Sequence, residues 1–571
     1  MALMAVPLVA SVIMAVIPAR TPHIVFEAIH TLNVVVTAVV TCIVCVAVFS
    51  GAVVPTALGD WFRVDALSAV FVALIGGIGL LTGIYSLPYI RHDINGGNFT
   101  GGQVKQYYVF FGLFIFTMMV SACSNNLIMM WVSIEATTLV TVFLVGVNNT
   151  KKALEAAWKY IIVCTAGVAF GLYSTLLVYS NAAAIMNDPS NAILWTAILP
   201  FSPQFDSTII MIAFVFATIG FGTKAGLFPM HTWLPDAHSE APSPVSALLS
   251  AVLLKCAILV IIRFYILAVS AIGPFFPQLV MLIFGIASVL FAAFAIFTQD
   301  DIKRKLAYSS CENIGIVALC LGFGGTVGIT AALLQCVFHA ITKSLLFCLS
   351  GNLTMKYGTR DLKVIKGVLQ AMPITAVLLC IGLFTISGFP PFALFTSELS
   401  MMMAGLNAGL LWIVIIVGLA LTVVVAAFAT IAARNVIKKV SKDEMVLKKK
   451  DVSILALIPE AVLAICVIWF GVAAPSQLTS SINSAAGIIL NEEAADGSGN
   501  ATGDSATGAN AATATDSASA ANGSNEAVMG PGDKVYQSLS DATASEGSGQ
   551  QSATSNTQVT GTEAKSRGDI S

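Results

Sequence analysis

The stretch FGTKAGLFPMHTWLPDAHSEAPSPVSALLSAVLLK, Phe221 to Lys255, decides the reading of this chain. It sets Lys224 and Lys255 in apolar surroundings that Pro229, Pro235, Pro242 and Pro244 interrupt. A second stretch of the same kind, SGFPPFALFTSEL from Ser387 to Leu399, places Glu398 just beyond Pro390 and Pro391. A charged side chain at mid-bilayer costs about 2.5–3.5 kcal/mol on insertion scales, so one that no bilayer edge can rescue is read as functional.

Working outward, 57% of the 571 residues are hydrophobic and 10% charged, with mean hydropathy +0.88. A soluble domain carries roughly 25% charged residues. Apolar runs of about 20 residues, the length that crosses a bilayer, recur from residue 2 to residue 474. They predict an all-α polytopic membrane protein with about 14 transmembrane helices. The expected organisation is three N-terminal helices in 1–106, a first half in 107–269, a second in 276–433 and a last helix at 452–474. Around 208–245 and 371–407, Pro and Gly break the pattern, and a single span there reads as two half-helices.

Net charge is −2, but the charges segregate. The tail from Asn491 holds 11 acidic and 3 basic residues, leaving 25 bases against 19 acids in the preceding 490. Twenty of those bases, from Arg20 and Arg91 to Arg434 and Lys450, fall in alternate loops, and only Arg63 breaks the alternation. This is the positive-inside pattern, which puts those loops in the cytoplasm and both termini outside, in a cell inner (plasma) membrane. The apolar N-terminus lacks the basic region of a secretory signal and reads as a retained first helix. Residues 491–571, rich in Gly, Ala, Ser, Thr and Asp, bury too little apolar surface to fold and read as a disordered acidic tail. The 11 cysteines are scattered and read as small apolar filler.

Glu135 and Lys224 precede Glu312 and Glu398 by 177 and 174 residues. Five-helix repeats at that distance are inverted relative to each other, the plan of transporters whose sites lie on broken helices at the midplane. The match is imperfect, because Lys224 precedes its proline and Glu398 follows.

Glu135 is the lone acid of its span and the natural partner of Lys224; moving it away would release the lysine proton. Lys255 and Lys343 are further amines within spans, and His339 lies one helical turn from Lys343. His is suited to passing protons near neutral pH. With Glu398 as terminal acceptor, Glu135, Lys224, Lys255, His339, Lys343 and Glu398 make a candidate proton path joined by water. Glu312 reads equally as a member or as a structural partner of the base run Lys303 to Lys305. Arg263 reads as snorkelling to the headgroups. His231 and His238 fall in a Pro-rich segment read as an ordered turn, with no metal-ligand spacing. Lys159 and Glu155 read as interfacial.

There is no Walker glycine loop, Rossmann fingerprint, HExxH or four-Cys set, so no cofactor or metal is expected in the chain, and its energy comes from an ion gradient or from partners.

The segments WVSIEATTLV, EAAWKYIIVC, the Phe221–Lys255 stretch, DIKRKLAYSSCENIG and HAITKSLLF resemble the antiporter-like proton-channel subunits of respiratory complex I, Mrp-type cation/proton antiporters and energy-converting hydrogenases. The resemblance covers roughly 60–475. Within the family, the wording is most similar to the F component of hydrogenase-4-type complexes. The resemblance implies fourteen helices in two inverted five-helix halves, Glu135 and Lys224 as the coupling pair, Lys255 in a central hydrophilic axis and Glu398 as the acidic counterpart. It implies a proton-translocating subunit of a redox-driven complex, or alternatively an Mrp-type antiporter subunit. The implied partners are other membrane subunits and soluble iron–sulfur, hydrogenase-like subunits, with no nucleic acid. No lateral helix is expected after the last span.

Overall fold

The computed structural model describes residues 1–439 and 449–490. The expected acidic tail, 491–571, lies outside the described residues. Among these, 12 helices are long and apolar enough to cross a membrane, and two shorter apolar helices accompany them.

The helices are α1 Ala2–Val16, α2 His23–Phe49, α3 Ala66–Asn95, α4 Gly101–Cys123, α5 Leu127–Val145, α6 Lys151–Ile185, α7 Ser207–Glu240, α8 Ser243–Ile272, α9 Phe275–Thr298, α10 Ile302–Phe323 and α11 Gly325–Tyr357. They are followed by α12 Pro373–Ile386, α13 Ala393–Asn407, α14 Leu411–Ile437, α15 Ile454–Val472 and α16 Ser476–Leu490. Polar residues between the apolar runs start the helices by accepting from exposed backbone N–H groups. Asp65 does this for α3, Asn126 for α5, Thr150 for α6, Asp206 for α7 and Asp301 for α10. At α4, Thr100 and Gln103 form a reciprocal capping box.

Burial separates centre from rim. The most apolar window of α8 is 100% buried, that of α10 94% and that of α11 89%, against 33% for α2, α14 and α15. A helix that is apolar throughout and fully enclosed is a core helix, whereas the half-bare ones offer a face to lipid.

The two doubtful regions are both broken helices. In α7 the helix stops at Ala225, Gly226 takes φ +84°, the Phe228–Pro229 bond is cis, and helix resumes to Glu240. Between α12 and α13, Gly388 takes φ +64° and the Pro390–Pro391 bond is cis. In each case the left-handed glycine precedes the cis proline by three positions. Only a residue without Cβ adopts this backbone without strain.

Several sequence readings need correction. The Pro-rich segment after Pro229, read as an ordered turn, is the helical second half of α7, and His231 and His238 are buried in it. Arg263 does not snorkel; it is buried, donates to both Asp65 oxygens at 2.8 and 2.6 Å, and stacks 4.4 Å from the Trp195 ring centre. Glu312 makes no ion pair with the base run among the described residues. Lys303 of that run is itself buried, donating to the Ala241 carbonyl at 2.9 Å. The last span is followed by a further helix, α16, which buries Ile482, Ala485, Ala486 and Ile489.

Lys159, Arg304 and Arg360 form ion pairs at one end of the bundle. Lys159 reaches Asp236 at 3.3 Å and Glu155 at 2.7 Å, consistent with an interfacial pair. Arg304 meets Asp236 at 2.8 Å, and Arg360 meets Glu240 at 2.8 Å and Asp301 at 3.4 Å. These pairs join the α6 start, the α7 end, the α10 start and the loop after α11 at one end of the bundle.

Candidate functional site

The polar side chains of the interior come from the core helices. On α7, Lys224 sits in the last turn before the break, fully buried, and donates to Thr138 Oγ1 on α5 at 2.8 Å and to the Tyr160 hydroxyl on α6. Its amine also lies 4.5 Å from the Tyr160 ring centre and 5.7 Å from that of Trp233. Cation–π attraction and hydroxyl dipoles thus replace water around the ammonium. Tyr160 and Thr141 share a further hydrogen bond.

Glu135, one turn before Thr138 on α5, does not pair with Lys224 among the described residues. Its Oε1 accepts from Thr165 at 2.8 Å, and its buried Oε2 has no partner. Thr138 thus stands between the expected partners, bonded to one and a helical turn from the other.

Beyond the break, Trp233 stacks 4.7 Å from Tyr160 and 6.5 Å from His238. His238 is fully buried, lies against Phe347 at 5.2 Å, and has neither ring nitrogen bonded among the described residues.

Lys255 on α8 follows a π-helical turn, Leu249–Leu253. Its amine donates to the Ser250 carbonyl inside that turn at 2.7 Å and to His339 Nδ1 on α11 at 2.5 Å. Ser250 Oγ in turn meets Ser310 Oγ on α10 at 2.7 Å. One turn from His339, Lys343 donates to the Leu306 carbonyl at 2.7 Å and to the Ser309 hydroxyl. The structure therefore brings Lys255, His339 and Lys343 into one buried network spanning α8, α10 and α11.

Glu312 stands further along α10. Its Oε2 accepts from Asn313 at 2.7 Å, while Oε1 is buried without a partner. Gln335 Nε2 on α11 donates to Asn313 Oδ1 at 2.8 Å, and its Oε1 accepts from Ser397 on α13 at 2.5 Å. Ser397 adjoins Glu398. The Glu398 carboxylate packs against Gly388: a Cβ built there would meet Oε2 below van der Waals distance. Amines, imidazoles, hydroxyls and carboxylates thus line the interior from α5 to α13.

Residues 124–424 match the family described as NADH:quinone oxidoreductase/Mrp antiporter, TM, and residues 61–100 that described as NADH-Ubiquinone oxidoreductase (complex I), chain 5 N-terminus. The chain belongs to this family. Hydrogenase-4 component F homolog of Methylacidiphilum infernorum is 40% identical over 346 residues, 60% of this chain and 71% of that protein. The antiporter-like fold recurs in the archaeal membrane-bound sulfane sulfur reductase, at TM-score 0.76 and 22% identity over 86% of this chain and 97% of that one. It recurs in the Mrp complex of Dietzia sp. DQ12-45-1b, at TM-score 0.74 and 18% identity over 86% and 96%.

Sequence reading of this antiporter-like chain missed Tyr160, Thr138, Ser309 and Gln335, because hydroxyls and amides in apolar spans carry no charge signal. It read the segment holding His238 as an ordered turn, although Pro229 and Pro235 stand where a helix can restart. It also passed over Glu460, a fully buried acid on α15. A lone acid within a 19-residue apolar helix was signal enough.

Proposed function

We propose that this antiporter-like subunit translocates protons in a redox-driven membrane complex of the hydrogenase or complex I type, with electron transfer confined to partner subunits. The observation that carries this reading is the buried run of ionisable groups, Lys224, His238, Lys255, His339, Lys343, Glu312 and Glu398, four of them on α8, α10 and α11, the most buried helices of the bundle. Groups this costly persist in apolar spans where they move charge.

Glu135 and Lys224 act as the gate. With Thr138 holding the amine and Glu135 a turn away, a small shift of α5 brings carboxylate to ammonium or parts them, and the proton affinity of the amine follows. Lys255, His339 and Lys343 pass the proton along the axis. Glu398, at the second broken helix, receives it. The two broken helices belong to inverted halves, 107–269 and 276–433. The basic end faces the cytoplasm across a plasma membrane, with both termini outside. The partners are membrane subunits and soluble iron–sulfur, hydrogenase-like subunits.

Lys224→Ala in the assembled complex, reconstituted into vesicles, tests this. Proton translocation per electron transferred should fall at least tenfold with the complex intact; unchanged translocation refutes the reading. The fold shared with the Mrp complex favours a second reading, cation/proton exchange. Proton movement that requires a sodium gradient and ignores electron donors would establish it instead.

A further inference from the structure

Glu460 lies on α15, away from the row just described. It is fully buried, and both its oxygens accept from one amide, Asn352 Nδ2 on α11, at 2.8 Å each. Asn352 Oδ1 accepts in turn from the Tyr85 hydroxyl of α3 at 3.0 Å, and that hydroxyl also reaches the Cys348 carbonyl at 2.7 Å. The carboxylate forms no ion pair among the described residues. The titratable groups around it are Tyr85 and Cys348, with Asp451 in the lining of the cavity above. An ionised carboxylate enclosed with a neutral amide as its partner is costly, so the position invites a proton.

A cavity of about 510 Å³ opens above this cluster. Its lining includes Pro88 and Arg91 of α3, Met355 and Lys356 of α11, and Leu455 and Ala456 of α15. Pro88 stands three positions from Tyr85, Met355 three from Asn352, and Ala456 four from Glu460. On all three helices the cavity is therefore one turn, about 5.4 Å, from the buried cluster and on the same face. All three steps lead toward the basic end of the bundle. The volume holds many waters, since each takes about 30 Å³.

We propose that Glu460 is a proton-uptake site reached from the basic end of the bundle through this vestibule, separate from the row that runs from Lys224 to Glu398. A proton carried by vestibule water bonds to a Glu460 oxygen as its bond to that water breaks, leaving a neutral acid beside Asn352. The nearest hydroxyl proton in the cluster is on Tyr85, one amide away through Asn352. Arg91, ion-paired with Glu27, lines the vestibule with His92, Lys356, Lys450 and Asp451, so charges of both signs flank the water through which the proton moves.

This rests on the translocation reading, and its test keeps the two apart. In the purified full-length protein, infrared difference spectra against Glu460→Gln isolate the Glu460 carboxyl band. That band should shift within seconds of transfer to D2O, and Leu455→Trp or Met355→Trp, which fill the vestibule, should slow the shift at least tenfold. An absent carboxyl band, or exchange unaffected by either plug, overturns the proposal. In the assembled complex, Glu460→Gln keeps an amide–amide contact with Asn352 yet should lower translocation at least fivefold while electron transfer persists; unchanged translocation also overturns it. If Lys224→Ala leaves translocation intact, the translocation reading fails, while the infrared exchange still decides whether Glu460 takes up protons through the vestibule.

Discussion

At the residue scale, the chemistry of Lys224 depends on two hydroxyls. Tyr160→Phe keeps the ring under the amine and removes one acceptor, and hydrogen bonds to charged groups contribute about 1.5–3 kcal/mol. Translocation should fall about tenfold with assembly unchanged, measured as proton uptake by vesicles at a fixed electron-transfer rate. Thr138→Val should act similarly, and the double variant should be less than additive, because both hydroxyls serve the same amine. Charged positions were legible in the sequence because a charge in an apolar run is conspicuous: Lys224, Lys255, His339 and Lys343 are all buried, and the last three join one network. Their uncharged partners were not legible. A Thr or Tyr suits a membrane helix whether it points at lipid or at a lysine, and only packing tells which. Arg263 was misread for a related reason: its nearness to a helix end favoured snorkelling, and its partner Asp65 is 198 residues away.

At the element scale, two glycines show what the breaks and crossings demand. Gly388 and Gly409 both adopt positive φ, +64° and +72°. A Cβ at Gly388 would strike the Glu398 carboxylate, whereas one at Gly409 would meet nothing within 4 Å. Gly409→Ala should cost about 1–2 kcal/mol for backbone strain alone, and Gly388→Ala should cost more, because the same strain is joined by the clash with Glu398. Only Gly388→Ala should depress proton translocation. Gly220 lets α7 approach α6: a Cβ there would meet the Gly171 backbone. Gly220→Val should lower thermal stability in detergent by about 1–3 kcal/mol or more, while Val at Gly77, which faces open space, should leave it within about 0.5 kcal/mol. The broken helices themselves were legible, since Pro and Gly cannot continue a helix. The helix after Pro229 was not, because its prolines stand at first-turn positions that a helix accepts as readily as a loop. Nor was α16, whose alternation of Ser with Ile and Ala reads as neither span nor core until α3 and α11 cover it.

At the scale of the whole molecule, the ion pair of Arg263 with Asp65 joins α8 to α3 inside the bundle. Removing one member of a buried pair strands the other and costs about 3–5 kcal/mol, whereas replacing both with apolar residues is often neutral. Arg263→Leu should lower the unfolding midpoint markedly, and Arg263→Leu with Asp65→Asn, which removes the stranded charge and keeps the α3 cap, should recover most of it. The central helix α8 also carries the π-helical turn at Leu249–Leu253. A π turn accommodates one residue more than an α turn, and each residue of an α-helix corresponds to 100° of rotation. Everything beyond the turn is therefore indexed one step out of phase with everything before it. Deleting one residue within 249–253 would let the helix close as regular α with its flanking segments still in register, whereas closing the turn as regular α with every residue kept would swing the following segment by about 100° and turn Lys255 from His339. The alignment of the interior is thus held by the hydrogen-bond spacing of one turn, and an unaltered sequence that closed that turn as regular α would lose it.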